Sequence, residues 1–532
     1  MEKNNSFIDK IFSKNWIPFS IIVSFGFILY FQDFFFNFSY LDDNNLILDN
    51  QYFLSNLANF FKSFSIDVFY VFNHSAFYYR PLLTISLMFD FQLGGTFPFI
   101  YHFTNVALHL LSAGLLFIFL KKLDYKKELS FLFSIIFLIH PVLTQAVAWI
   151  PGRNDSLLAI FVLSTCIFFI KYVKEENVSS LFWSLVFFGL ALFTKESGIC
   201  ILPILFFYLY FIYKEKTLSL NKFNFFFWSI VVLSFWAILR YITLKDSVSL
   251  TLGEMFRSLY LNLPAVIQFI GKIFFPFNLS VLPVMQDTTF IYGIFSIILL
   301  TIMLFLTKTK CWNFILFGFG WFFAFLLPSF IRPNSALVAD FIEHRLYVPI
   351  IGIFIILLET DFIKKIDFKK RSTLIITSSL IFLFSIITIV HSRNFVDKLT
   401  FWKNAVQNSP HYPLVHRNLG AMEYLDGNMD NAEKEYKIAL ELNPKEEMAH
   451  NNLGLVYVNQ NKFTEAEEEY KKEIEINPYY DNVYYNLGLL YWQEKRYDEA
   501  VSNWKKTLEI NSNYPVAPEI LQLISSLKYK PE

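Results

Sequence analysis

Long apolar runs, separated by short clusters of lysine, occupy the first three quarters of the chain and leave few folds open. A bilayer crossing needs roughly 17–25 consecutive, mostly apolar residues. Runs of this kind lie near residues 17–38, 99–120, 128–146, 155–173, 178–194, 197–213, 223–243, 289–307, 311–330, 345–360 and 373–391. Backbone in lipid has no water to bond, so each run is predicted to be a helix. Cationic loops orient such spans, because Lys and Arg favour the cytoplasmic side. The clusters are Lys121, Lys122, Lys126 and Lys127; then Lys214, Lys216 and Lys222; then Lys308 and Lys310; then Lys364, Lys365, Lys369, Lys370 and Arg371. Keeping all of them and the N-terminus in the cytoplasm requires an odd number of crossings, about eleven. The run Leu259 to Phe275 carries Asn262, Pro264, Gln268, Gly271 and Lys272. Counted as a span it would invert every later loop, so it is predicted to be interfacial or re-entrant. The parity then puts the C-terminal region outside the cytoplasm, together with the loop that holds Asp42 and Asp43.

Composition agrees with a chain divided between lipid and water. Of 532 residues, 55% are hydrophobic, with a mean hydropathy of +0.42. That is too apolar and too long for one soluble domain. Forty-five cationic residues balance 45 acidic ones, so no nucleic-acid partner is implied. The charge is concentrated after about Phe395, where Glu and Lys become frequent. Cys166, Cys200 and Cys311 lie in or beside apolar runs and form neither a disulfide framework nor a metal cluster. Lys3, Lys10 and Lys14 precede the first run, and no small-residue cleavage site follows it. A retained first span is therefore expected, and not a removed signal peptide.

Polar residues gather at the predicted outer ends of the spans. Tyr40-Leu41-Asp42-Asp43-Asn44-Asn45 follows the first run, and Tyr79-Arg80-Pro81-Leu82 ends the same external loop. His140-Pro141-Val142-Leu143-Thr144-Gln145-Ala146-Val147-Ala148-Trp149 leads to Gly152-Arg153-Asn154-Asp155. Thr194-Lys195-Glu196-Ser197-Gly198 forms an external turn, and Glu343-His344-Arg345-Leu346-Tyr347 opens another span. Each group has a plain structural reading: His140 as a helix cap, Lys195 and Glu196 as a neutral pair, Arg80 as a snorkelling side chain. Charged groups beside lipid are costly, however, and both signs on one face point to a site. An acidic pair suits removal of a proton from an attacking hydroxyl. Arg80, His140, Arg153, Lys195 and Arg345 suit the holding of a leaving group that becomes negative.

The run His140-Pro141-Val142…Thr144…Ala146-Val147-Ala148-Trp149…Gly152-Arg153…Asp155 resembles the hallmark stretch of the transmembrane and tetratricopeptide-repeat-containing O-mannosyltransferases. Tyr79-Arg80-Pro81-Leu82, Leu93-Gly94-Gly95 with Tyr101-His102 and Asn105, Lys195-Glu196-Ser197-Gly198, and Glu343…Arg345-Leu346-Tyr347…Pro349 are similar too. The resemblance implies a GT-C glycosyltransferase fold, a polyprenyl-phosphate-linked sugar as donor, and transfer to Ser or Thr of proteins. It also implies that Asp42 and Asp43 are catalytic. On this reading Arg80, His140, Arg153, Asp155, Lys195, Glu196, Glu343 and Arg345 bind the donor phosphate or sugar. One departure stands out: this chain has Gln145 where the family usually has Glu. Metal use varies across the superfamily; a divalent ion is compatible with the resemblance, but no ligand set is visible.

A second pattern fills the C-terminal part. Asn418-Leu419-Gly420, Asn452-Leu453-Gly454 and Asn486-Leu487-Gly488 recur every 34 residues, as do Ala432, Ala466 and Ala500 and the aromatics Tyr436, Tyr470 and Trp504. Asn443-Pro444 and Asn477-Pro478 close two units, and the third ends on Asn511-Ser512. This is the tetratricopeptide period. Three repeats and a last helix, Pro515 to Leu527, can bury a continuous core. Asn418, Asn452 and Asn486 are predicted to line the concave face and to bind acceptor peptide.

The predicted architecture is all-α: a polytopic membrane domain of GT-C type over 1–392, a linking helix over 393–412 with Phe401-Trp402, and a repeat solenoid over 413–532. The predicted partners are a lipid-linked sugar donor, protein acceptor segments and the membrane. The expected location is a bacterial inner membrane or an endoplasmic-reticulum membrane, with the repeats extracytoplasmic. A membrane-anchored repeat scaffold without catalysis, and a polyprenol-lipid flippase, are the competing readings.

Overall fold

The protein is described by a computed structural model covering residues 11–12, 14, 16–70, 78–214, 220–245, 251–331, 343–512 and 514–527. Lys3, Lys10 and Lys216 lie outside the described residues. The chain forms two compact units, Met1–Phe401 and Trp402–Glu532. Their division falls inside the helix Lys398–Asn408, within the stretch 393–412. Among the described residues both units are helical and contain no strand.

Among the described residues of the first unit, five helices are long and apolar enough to cross a bilayer: Pro98–Lys122, Ile150–Glu175, Asn224–Leu244, Trp312–Phe330 and Arg371–Phe395. Five shorter apolar helices join them, among them Ile17–Leu29, Val178–Thr194 and Ile291–Leu306. Two predicted spans take a different form, and so does the run predicted not to cross. The run 128–146 breaks at His140-Pro141, and its halves Lys127–Ile139 and Pro141–Ala148 meet at 52°. Proline lacks an N–H and clashes with the preceding turn, which forces the bend. The run 345–360 is a helix only over Ile350–Leu358, with every residue but Leu357 buried. At about 1.5 Å per residue it is shorter than a bilayer, so its apolar character serves the core instead. The run 259–275 is split by Leu263 and Pro264 into Leu252–Asn262 and Ala265–Phe274, consistent with a segment that does not cross.

Glycines let two helix pairs approach backbone to backbone. A Cβ on Gly271 would meet the backbone of Gly293, and one on Gly318 would meet the Gly352 carbonyl. Small residues at helix crossings are the usual device where lipid removes the hydrophobic drive for helices to associate.

The second unit is a run of helical hairpins: Pro413–Leu425 with Met429–Leu442, Ala449–Asn459 with Phe463–Ile476, and Asp481–Gln493 with Tyr497–Ile510, ending in Ala517–Leu527. In each hairpin the Gly of Asn-Leu-Gly faces the aromatic of the second helix: Gly420 on Tyr436, Gly454 on Tyr470, Gly488 on Trp504. Ala432, Ala466 and Ala500 are fully buried. A second device repeats with the same period. His416 Nε2 lies 3.0 Å from the Pro410 carbonyl, and His450 Nε2 lies 3.1 Å from that of Pro444. The Tyr484 hydroxyl donates to Pro478 at 3.1 Å. Each ring ties the start of a first helix to the turn before it.

Filling the space under one ring should cost the solenoid its fit. Gly454→Ala would put a methyl within 2.6 Å of Tyr470. Overpacking of this kind costs about 1–3 kcal/mol. Chemical denaturation followed by the repeat unit's helical signal is expected to show that loss.

Candidate active site

The acidic loop is built on strained backbone. Tyr40 and Asp42 have φ of 59° and 67°. Left-handed conformations at non-glycine residues cost on the order of 1–3 kcal/mol and persist only where surroundings enforce them. Asp43 supplies part of that enforcement. Its Oδ2 accepts from the Ser39 N–H at 2.7 Å and the Ser39 hydroxyl at 3.0 Å, and its Oδ1 accepts from the Asn44 N–H at 3.1 Å. Asp43 is buried, while Asp42 is half-buried. Burial pushes the Asp43 carboxyl up to about 7, against the hydrogen bonds from Ser39. The two predicted catalytic residues thus divide: Asp43 caps its own turn, and Asp42 is the more accessible.

A compact group of charges forms around Asp155. Lys195 Nζ bonds both Asp155 oxygens, at 2.7 and 3.0 Å. Arg80 donates from Nε and Nη2 to Glu196 Oε2 at 3.3 and 3.2 Å, with its guanidinium 4.3 Å from the Tyr78 ring centroid. Arg345 and Arg80 both act electrostatically on Lys195. Burial, helped by those two cations, pulls Lys195 below the usual lysine range against the pull of Asp155. His344 joins this group with Nε2 3.8 Å from Asp155 Oδ2. Burial, then Lys195, Arg345 and Arg80, hold His344 well below the usual imidazole range, so its ring is neutral at pH 7. Three cations therefore meet two carboxylates. Two buried polar atoms here have no hydrogen-bond partner among the described residues: His344 Nδ1 and Glu196 Oε1. Buried polar atoms are nearly always satisfied, so such orphans call for a ligand or water.

The remaining predicted donor residues are engaged elsewhere. Arg153 is fully buried. Its Nη1 bonds Asp90 Oδ2 at 2.5 Å, Nε bonds Asn105 Oδ1 at 2.8 Å and Nη2 bonds the Tyr101 carbonyl at 2.9 Å. With its donors facing inward, Arg153 serves the fold, and the expectation that it meets a phosphate is revised accordingly. His140 caps the bend, with Nδ1 accepting from Val142 N–H at 3.3 Å and Nε2 3.0 Å from the Ile273 carbonyl. Glu343 is buried and receives Lys272 Nζ at 2.7 Å, the Ser280 N–H at 2.9 Å and His391 Nε2 at 3.1 Å. Burial would raise its carboxyl, but Lys272 and His391 hold it below its ordinary value. Gln145 explains its own departure: Nε2 donates to the Val281 carbonyl at 2.9 Å and Oε1 accepts the His344 N–H at 3.1 Å. A carboxylate could not do both.

Sequence reasoning gave no role to His344 and Lys272, which stood in its motifs, and missed Asp90 and His391. Their signal was an ionisable residue within or beside an apolar run, which is rarely idle. Among the described residues no group of three His, Cys, Asp or Glu is placed to hold a metal ion.

In the repeat unit, Asn418, Asn452 and Asn486 are half-buried. Asn486 Nδ2 donates to Asn451 Oδ1 at 2.9 Å, and Asn451 Nδ2 donates to Asn452 Oδ1 at 3.2 Å. Asn418 Oδ1 accepts from Arg417 Nε at 3.3 Å. Part of the hydrogen-bonding capacity of the row therefore holds neighbouring helices together.

Comparison with known proteins agrees with this organisation. Residues 85–243 match the family described as dolichyl-phosphate-mannose-protein mannosyltransferase. Residues 455–495 and 482–514 match tetratricopeptide repeats. The chain thus falls in a class of helical membrane proteins that join a mannosyltransferase-type segment to a repeat solenoid. Within that class it is similar to the transmembrane and tetratricopeptide-repeat-containing O-mannosyltransferases. Protein O-mannosyl-transferase TMTC2 of Mus musculus is 33% identical over 176 residues, covering 30% of this chain and 20% of the relative. The Homo sapiens TMTC2 is 34% identical over 176 residues, with the same coverage, and the Homo sapiens TMTC4 is 33% identical over 145 residues, covering 23% and 20%. The chain thus spans about a fifth of the length of these curated relatives. The mannosyltransferase match includes Asp155, Lys195 and Glu196 but neither Asp42 and Asp43 nor Arg345.

Two outcomes follow from these contacts. Arg153→Ala should destabilise the membrane unit by about 3–5 kcal/mol, because Asp90 would be left buried and uncompensated. Thermal unfolding in detergent is the measure, and Arg153→Lys should rescue little, since one ammonium cannot span Asp90, Asn105 and Tyr101. The second outcome concerns pH. The folded Asp43 value of about 7 lies above the unfolded one, so its protonated form favours the folded loop. That contribution is complete below about pH 4 and is lost as pH rises through about 7. Amide exchange over residues 39–48 should slow at acid pH, after correction for intrinsic rates, and Asp43→Asn should remove the dependence.

Proposed function

We propose that the membrane unit transfers a mannosyl group from a polyprenyl-phosphate donor to a Ser or Thr hydroxyl of a protein. The reaction takes place on the extracytoplasmic side, and the repeats capture the acceptor. One observation carries the reading: Arg80, Lys195 and Arg345 cluster with neutral His344, among buried polar atoms that await a partner. A bare scaffold has no use for such a group. The names of the relatives support mannose as the sugar.

In the proposed reaction the acceptor oxygen attacks the anomeric carbon, and the bond from that carbon to the phosphate oxygen breaks. The electron pair stays on the phosphate, and the hydroxyl proton passes to Asp42. Arg80, Lys195 and Arg345 take up the charge that grows on the phosphate, which is the interaction that lowers the barrier. Asp155 and Glu196 hold two of those cations in place until the donor arrives. Asp43, tied to Ser39, keeps the loop closed behind Asp42. In the repeats, Asn418, Asn452 and Asn486 offer the amide groups left after their internal bonds to an extended acceptor backbone, reading its peptide groups and not its sequence.

The test uses the full chain in lipid nanodiscs with mannosyl polyprenyl phosphate and a Ser/Thr-rich acceptor protein. Transfer is expected, and Asp42→Asn should lower it by roughly 10²–10⁴-fold. Mass spectrometry of the acceptor reads the product. Undiminished transfer by Asp42→Asn, or none by the native chain with any lipid-linked hexose, defeats the proposal.

A further inference from the structure

We infer that Trp149 is a positioning residue that fixes the Leu41–Asp42 peptide and so aims the Asp42 carboxylate at the cation cluster; the inference rests on the role of Asp42 proposed above. The indole Nε1–H donates to the Leu41 carbonyl at 2.8 Å. That carbonyl belongs to the peptide between Leu41 and Asp42, in a stretch where Tyr40 and Asp42 both have positive φ. Backbone in such wells holds its shape only where contacts over-determine it. Most hydrogen bonds in the loop are local: Ser39 to Asp43, Asn44 to Asp43, and the Leu46 N–H to the Asp42 carbonyl at 2.8 Å. They set the curl of the loop but not its direction. The indole bond reaches across 108 residues of sequence and supplies a direction.

The same ring also meets the cluster. Trp149 and His344 have ring centroids 5.2 Å apart, and His344 Nε2 is the atom 3.8 Å from Asp155. One buried side chain therefore touches both halves of the site. Its own backbone is held in turn. Asn105 Nδ2 donates to the carbonyls of Val147, Trp149 and Ile150 at 3.0, 3.1 and 3.2 Å, and Asn105 Oδ1 accepts from Arg153. Tryptophan suits the task because it is large, has two rotatable side-chain bonds and carries a donor at its rim. This also gives the buried Arg153 a purpose in the site: it anchors the turn that carries the indole.

The alternative is that Trp149 only fills space, and two replacements separate the readings. Trp149→Phe keeps an aromatic ring and loses the N–H. Replacement of Trp149 by 3-benzothienylalanine keeps size and stacking and loses only the N–H. Both are assayed as the full chain in nanodiscs with mannosyl polyprenyl phosphate. Misplacement of a reacting group by about 1 Å costs up to roughly 10²-fold. The expected result is a kcat lowered about 10- to 100-fold in both variants with the donor KM unchanged, and faster amide exchange over residues 39–48. An unchanged kcat with the isosteric replacement overturns the inference, as does a donor KM that rises in step with the loss of kcat. Exchange is read independently of transfer. Native-like exchange in the variants overturns the inference even if the native chain is active. Faster exchange in a protein whose native form transfers no sugar upholds the indole contact and counts against the proposed function instead.

Discussion

The Arg153 guanidinium, sealed inside the membrane unit, is the interaction that the rest of the site depends on. It joins Asp90 on one helix, Asn105 and the Tyr101 carbonyl on the next, and its own helix, which begins at the bend after Trp149. A buried cation of this kind adds little net stability compared with an apolar substitute, but removing either partner is costly. What it provides is uniqueness of arrangement. Asn105 spends its amide on the carbonyls of Val147, Trp149 and Ile150, so the turn 147–150 has one conformation. Gly152 is needed in the same turn, because a Cβ there would collide with the Gln145 carbonyl. Asp155 and Lys195 are placed as a consequence.

Several carboxylates that pack inside find a cation or N–H donors. Glu343 has Lys272, His391 and the Ser280 N–H. Glu359 receives Lys364, and Asp361 receives Lys365, in the segment read as a cytoplasmic loop. The cluster around Asp155 keeps orphaned atoms on His344 and Glu196 beside its paired cations. Orphaned atoms inside a group of opposed charges call for a ligand or water.

The helices and repeats were legible because apolar length and a 34-residue period are local signals. Val178–Thr194 coincides with its predicted run to the residue. Ile350–Leu358 was overextended, because a wholly apolar stretch buried in protein looks like one facing lipid. Of the site, Arg80, Asp155, Lys195, Glu196 and Arg345 were readable as types and do assemble. Arg153 was misassigned: a sequence shows a charge but not its partners, and Asp90 lies 63 residues away on a helix outside the predicted apolar runs. Gln145 looked like a loss when compared with a carboxylate, and only the facing Val281 carbonyl and His344 N–H show why an amide fits.

The distances in sequence between ion partners carry a consequence for how the protein is made. Arg80 waits for Glu196 through 116 residues, and Lys272 waits for Glu343 through 71. At ribosomal speeds of about 5–20 residues per second, Arg80 emerges on the order of ten seconds before its counter-charge exists. In that interval the helix Pro81–Gly94, with Asp90 along it, cannot be released alone into hydrocarbon at low cost. The early helices must be retained at the insertion machinery, or shielded by one another, until the later ones arrive. Assembly of the membrane unit is in this sense a late event, timed by the slowest ion pair to be completed.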